Sequence, residues 1–392
     1  MAQQALKGVR VLDFTSYIAG PYGASLLGDF GADVTKVEMP GGDALRGYPS
    51  TLPGESRAYL GVNRNKRGIV LDLKRAEGRA VCHRLVARAD VVLHNFRPGA
   101  EARLALDYGT LVAVQPRLVY CSFTGYGPDG PQARRPGFDQ VLQCRTGIAQ
   151  AQGYPGDEPK VVWGSAVDFY GASLLAAGVG AALFQRERTG QPQRVETSLL
   201  QAALAMQAGR MVWAQAEGRS VDRDLRGGRL AGIHPTREGY LYLQAQTQPF
   251  WLALCELTGL RHLANDPRCA DARLRKANED MLVPLLREAL LARTALEWER
   301  IFGTQVPCTA VRSIEDVFDD EQVLDQQLLA DHEHPKLGRY RAVAEPVRFN
   351  GERGAQPERR APALGEHTDD VLLEAGYSPA EIADLRATAT VG

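Results

Sequence analysis

Short apolar runs alternate with amphipathic stretches from the start of the chain, the pattern of strands and helices taken in turn. VRVLDF at residues 9–14 reads as a buried strand, residues 22–30 as a helix and DVTKVE at 33–38 as the next strand. GIVLDL at 68–73, a helical stretch over 76–89, VVLHNF at 91–96, a helix after Gly99 and LVYCSF at 118–123 continue the alternation. Strands joined through helices imply a mostly parallel sheet covered by helices, with ligands bound at the carboxyl ends of the strands. The expected fold is therefore α/β, with a Rossmann-like large domain.

A second helical block runs from Asp168 to about Trp213 and is rich in small residues. The character then changes. The Gly/Arg-rich RDLRGGRL, a hairpin pattern in TREGYLYLQAQ and amphipathic helices around Trp251, Leu285 and Trp298 predict a smaller α+β domain over residues 216–330. Residues 1–215 and 331–392 make up the large domain, closed by a helical region in PALGEHTDDVLLEAGYSPAEIADL.

Composition narrows the partners. Lys+Arg total 46 against Asp+Glu 47, so no net field draws the molecule onto nucleic acid or an anionic membrane, and an anionic ligand needs a local site. No apolar run reaches the roughly 18 residues of a membrane span, and the cytoplasm is the expected compartment. Cys82, Cys121, Cys144, Cys255, Cys269 and Cys308 lie far apart without a CxxC pair and read as buried reduced thiols. His332 and His334 in DHEHP read as part of a solvated loop, and no metal site is expected.

The turn after the first strand, TSYIAGPYG, holds Gly20 and Gly23 but lacks the GxGxxG spacing of a dinucleotide fold. GxxxxGK[ST], HExxH and GxSxG are also absent. The informative carboxylate is Asp168 in GSAVDFYGASLL, directly before a long helix. It is either a plain N-cap or an exposed nucleophile kept ionised by the helix dipole.

Nearly end to end, the chain resembles the family III CoA-transferases, with formyl-CoA transferase, carnitine CoA-transferases and the related α-methylacyl-CoA racemases. The blocks that carry the likeness are LKGVRVLDF, AGPYGASLLGDFGADVTKVEMPGGD, NKRGIVLDLKRAEG, ADVVLHNFRPG, YCSFTGYGPDGP, PGFDQVLQCRTG, VDFYGAS, RTGQPQRVETSLL and PALGEHTDDVLLEAGYS. The resemblance implies that Asp168 is the catalytic aspartate and that the large domain binds CoA. The family's CoA-binding positions fall on Ile18, Ala19, Leu71, Asp72, Leu73, Lys74, Asn95, Phe96, Arg97, Arg103, Phe138 and Asp139. For Asp139 a structural carboxylate is the equal alternative. Lys74, Arg97 and Arg103 have the charge to pair with CoA phosphates.

Two positions depart from the family. Met39 stands where formyl-CoA transferase has a CoA-contacting arginine, and Phe138 stands where it has a tyrosine. Racemases place a histidine at the latter position as a second acid/base, so Phe138 speaks against racemisation. The expected activity is transfer of CoA from an acyl-CoA to a free carboxylic acid through an acyl-aspartyl anhydride and an aspartyl-CoA thioester on Asp168. An acyl-CoA racemase or epimerase and a non-catalytic acyl-CoA-binding protein are the alternatives. Arg226, Gly227 and Gly228, followed by Arg229, resemble the family's flexible glycine loop in placement, with an interdomain hinge as the other reading. The arginines suit a short dicarboxylic acid. No tightly bound cofactor is expected beyond CoA as substrate, and the likeness implies an interlocked homodimer.

Overall fold

The computed structural model describes residues 4–154, 156–218, 229–353 and 359–392. They divide into two units, one of residues 1–153, 157–211 and 326–392, the other of residues 154–156 and 212–325.

The first unit opens with β1 (Arg10–Phe14), α1 (Ala19–Asp29), β2 (Asp33–Glu38), α2 (Arg57–Val62), β3 (Lys66–Val70), α3 (Ala76–Val86) and β4 (Val91–His94). It continues through α4 (Ala100–Arg103), α5 (Tyr108–Val114), β5 (Val119–Thr124), α6 (Asp139–Arg145), α7 (Ala166–Thr189), β6 (Gln193–Ser198) and α8 (Leu199–Ala205). The six strands form one sheet in the order β3-β2-β1-β4-β5-β6, every pair parallel. β1 thus pairs with β2 on one side, Val11 opposite Val34, and with β4 on the other, Val11 opposite Val91. The two-residue period of a strand sends Val11, Val34, Val91 and Val119 into a core with α1 and α7, and Leu12, Val37, Val92 and Tyr120 into a second core with α3. Burial on both faces places apolar residues at consecutive positions of β1, β4 and β5, whereas β2, DVTKVE, buries Thr35 and Lys36 between its two valines.

Several expectations need correction here. The helical block expected from Asp168 to Trp213 is broken into α7, the edge strand β6 and α8. β6, QRVETS, has Val195 as its one apolar residue and alternates between partly buried and exposed positions up to a buried Ser198, so its sequence lacks the apolar residues of the central strands. α7 is also long and apolar enough to cross a membrane by length and composition, against the expectation that no stretch is. Yet Leu175, Val179 and Leu183 lie in the core against α1 and the sheet, which accounts for its apolar character.

The second unit contains β7 (Gly232–Pro235), β8 (Tyr240–Leu243), α9 (Gln248–Leu257), α10 (Ala272–Ala277), α11 (Glu279–Leu290), α12 (Ala295–Phe302) and β9 (Cys308–Ala310). α13 (Ile314–Val317) and α14 (Glu321–Asp325) end it. Its antiparallel sheet β7-β8-β9 packs Leu241 and Leu243 against Trp251, Leu286 and Trp298. The chain then returns to the first unit with β10 (Leu329–His334), β11 (Gly338–Val343), β12 (Arg348–Phe349), β13 (Glu352–Arg353), α15 (Thr368–Glu374) and α16 (Pro379–Ala387). DHEHP is thus strand and not solvated loop, because β10 pairs antiparallel with β11 and its alternation buries His332 and His334. Cys82, Cys121, Cys255 and Cys269 are buried free thiols, Cys308 is partly buried, and Cys144 is exposed against expectation, on the outer side of α6.

Candidate active site

β1 and β4 are neighbours at the point where the strand order reverses, so their carboxyl ends open the crevice in which sheets of this kind bind ligands. The loops that leave them are tied together. Asn95 Oδ1 accepts the Ser16 amide at 3.0 Å, and Asn95 Nδ2 donates to the Ser16 carbonyl at 2.7 Å. Tyr17 follows with φ at 66°, a left-handed backbone that a bulky side chain rarely takes, and its ring meets Phe138 edge to face with centroids 5.6 Å apart. Half-buried Ile18 then caps α1, whose first residue, Ala19, is buried. Gly20 is required there, because a Cβ at that position would collide with the Thr15 side chain.

Asp168 stands in the first turn of α7, which begins at Ala166. Gly164 (φ 94°) and Ser165 (φ 61°) turn the chain into the helix. The end of the helix is capped from a distance. Asp139 Oδ2 accepts the amides of Val167 at 2.7 Å and Asp168 at 3.0 Å, while its Oδ1 accepts from Gln143 Nε2. Gln143 is fixed in turn by bonds to both backbone polar groups of Val162, at 2.9 and 2.7 Å. The Asp168 side chain is therefore no N-cap. Nor does the helix keep it readily ionised, as expected. Burial pushes its carboxyl up to about 7, the negative charge of Asp139 adds to that rise, and the Ser165 hydroxyl opposes it. The Val167 and Asp168 amides, which could have steadied an anion at the helix start, donate to Asp139 instead.

The other anticipated residues fall into groups. Lys74, Arg97 and Arg103 are exposed cations at loop or helix ends on the carboxyl side of the sheet. Leu71 and Leu73 bury their side chains in the core, which leaves only backbone for a ligand, and the amides of Leu71 and Asp72 already donate to Glu38 and Thr390. Asp72 accepts the Lys74 amide at 3.0 Å. Phe96 stacks on His94, centroids 5.1 Å apart, and lies against Phe14. Burial pulls His94 down to about 4, so its ring is neutral. Phe138 exposes its ring, whereas Asp139 is 2% exposed and caps α7 by accepting the Val167 and Asp168 amides.

Arg226, Gly227 and Gly228 lie outside the described residues. Arg229 is described, and its guanidinium is paired with Asp280 and lies 3.8 Å from Glu279 on α11. Sequence reasoning missed Ser16, Tyr17 and Gln143. No motif marks them. The available signal was adjacency, since each lies within a few residues of a position already singled out.

A model of CoA-transferase family III matches residues 6–368. The acetyl-CoA:oxalate CoA-transferase of Acetobacter aceti is 33% identical over 372 residues, which cover 92% of this chain and 92% of that protein. The succinyl-CoA:glutarate CoA-transferase of Mus musculus is 33% identical over 95% of this chain and 87% of its own. Among solved structures, a CAIB/BAIF family protein from Brucella suis superposes with a TM-score of 0.84 at 30% identity, covering 94% of this chain and 98% of its own.

Proposed function

Because the chain belongs to CoA-transferase family III, and is thus an enzyme that takes coenzyme A esters as substrates, we propose that Asp168 carries CoA covalently between two acids. The Asp168 carboxylate attacks the thioester carbonyl, the carbon–sulfur bond breaks, and CoA leaves as thiolate from an acyl-aspartyl anhydride. The thiolate attacks the aspartyl carbonyl of the anhydride and expels the donor acid, which leaves an aspartyl-CoA thioester. The incoming carboxylate attacks that thioester, and the released thiolate takes the new acyl group from the second anhydride. Asp168 is then a free carboxylate again. Electrons balance without an external base or redox partner, and the scheme calls for no tightly bound cofactor.

The observation that carries this reading is the Asp139 cap: it fixes the backbone of Asp168 at 3.0 Å while leaving the nucleophile's own oxygens uncommitted to the helix end. Lys74, Arg97 and Arg103 supply charge for the CoA phosphates. Asn95, Phe96, Ile18, Ala19, the 71–73 backbone and Phe138 supply the walls, which makes the first unit the CoA-binding domain. The names of the Acetobacter and mouse relatives, oxalate and glutarate transferases, support a short dicarboxylic acid as one substrate. Phe138 offers no acid or base, which weighs against the racemase reading.

Two wider features belong to the proposal. Trp163, Tyr170 and Phe184 expose large apolar surface in and just before α7, an unusual burden for a monomer, which supports a homodimer; sedimentation at the mass of one chain would refute it. The six unpaired cysteines fit a reducing cytoplasm, a location that cell fractionation tests.

The assay incubates wild type and Asp168→Ala in heavy water with acyl-CoA donors and a panel of free mono- and dicarboxylic acids. New dicarboxyl-CoA species from wild type alone are expected. Deuterium at the α-carbon without acid exchange would mean a racemase instead, and turnover by Asp168→Ala would remove the nucleophile.

A further inference from the structure

Four ionisable side chains that take no part in the transfer chemistry lie buried beneath the β1–α1 loop: Asp13, Lys36, Asp43 and Lys66, each with at most 1% of its side chain exposed. Their hydrogen bonds converge on that loop. Lys36 Nζ donates to the Thr15 carbonyl at 2.8 Å and to Asp43 Oδ2 at 2.9 Å. Asp43 Oδ1 accepts the Tyr17 amide at 3.2 Å and the Leu45 amide at 2.9 Å. Asp13 Oδ1 accepts both the amide and the hydroxyl of Thr15, at 2.9 and 2.5 Å. Lys66 Nζ donates to Asp13 Oδ2 at 2.8 Å, to the Pro21 carbonyl at 2.7 Å and to Asn63 Oδ1 at 2.8 Å.

Buried ion pairs are poor devices for stability, since desolvation consumes most of their attraction and apolar replacements often do as well. What this lattice does visibly is hold the backbone from Thr15 to Pro21 in one conformation, and within that span Tyr17 is strained at φ 66°. Strain in a bulky residue persists only where its surroundings over-determine it. The strained backbone sets the partly exposed Tyr17 ring edge to face on Phe138, and Phe138 precedes the aspartate whose carboxylate fixes the Asp168 amide.

We propose that the Tyr17 ring is a substrate-binding wall that holds the thioester end of acyl-CoA beside Asp168, and that Lys36 and Asp43 are positioning residues that keep it there against backbone strain. The inference rests on the CoA-transfer reading and adds to it the residue that orders the reacting group.

Tyr17→Gly tests it, because glycine takes the left-handed backbone without strain and loses the ring. Relief of strain offsets the lost ring contact, so the melting temperature stays within about 2 °C of wild type. The KM for acyl-CoA rises roughly tenfold or more while the KM for the free acid does not move. Tyr17→Phe, which keeps the ring, restores the wild-type value. The double variant Lys36→Met/Asp43→Leu gives the same selective rise, and adding Tyr17→Gly to it causes no further loss, as coupled residues require. An unchanged acyl-CoA KM in Tyr17→Gly, equal losses for both substrates, or failure of Tyr17→Phe to restore it would overturn the proposal. Calorimetric titration of acyl-CoA into Asp168→Asn chains with and without Tyr17→Gly separates the two readings. It measures the wall without turnover, whereas an Asp168→Asn chain that still transfers CoA would sink the covalent reading alone.

Discussion

A carboxylate can attack a thioester only when ionised, and at Asp168 ionisation is opposed by burial and by the neighbouring charge of Asp139, which together push it up to about 7. A raised value means the reactive form is scarce below that pH and complete above it. The kcat/KM for acyl-CoA should therefore climb about tenfold per pH unit on the acid side and level off beyond pH about 7. Asp139→Asn removes the negative charge while keeping one acceptor for the α7 amides, so the acid limb should move to lower pH. A pH–rate profile that stays in place, or moves upward, would mean that Asp139 does not act on Asp168 through its charge. The ionised fraction that burial takes from the nucleophile is offset in part, since a less solvated and more basic carboxylate is more reactive once ionised. Asp168 was legible through the family resemblance and not through its local sequence, because a carboxylate at a helix entrance is usually a plain cap. Its capping partner was not, because Asp139 lies 29 positions earlier in sequence and only the folded chain brings the two together.

The helix N-termini and the loops ahead of them decide where these side chains point. α1 begins so close to Thr15 that residue 20 has no room for a Cβ, so Gly20→Ala should cost about 1–3 kcal/mol by overpacking. The same substitution shifts the Ser16–Ile18 loop and should raise the KM for acyl-CoA, read together with the loss in thermal melting. An alanine variant that melted and bound as wild type would show that the loop tolerates displacement. The first five strands of the large sheet could be read from sequence because each carries core apolar residues, Leu12, Val34, Ile69, Leu93 and Val119 among them. β6 could not, since an edge strand with one solvated face resembles the polar segments around it. His332 and His334 misled for a related reason: charged neighbours suggested a loop, and only the pairing with β11 reveals that they share the buried side. Nothing in the sequence marks Lys36 and Lys66 as buried cations, although both sit in strands whose neighbours are core residues.

For the chain as a whole, the parallel strands and the helical layers over them follow from local pattern, while the identity of the acids does not. Charge balance and strand order are insensitive to single side chains, but acid selection depends on a few of them placed by loops. Arg229 illustrates the difference, since its sequence position alone does not reveal that its guanidinium pairs with Asp280. The central claim is that Asp168 exchanges its own oxygens with the substrates. When the acceptor acid carries heavy oxygen in its carboxylate, its attack on the aspartyl thioester and the later release of Asp168 leave one labelled oxygen on the enzyme. Peptide mass spectrometry after turnover with acyl-CoA should find the label on the peptide that carries Asp168, and only when both substrates are present. Formation of the new acyl-CoA with no heavy oxygen at Asp168 would contradict the account.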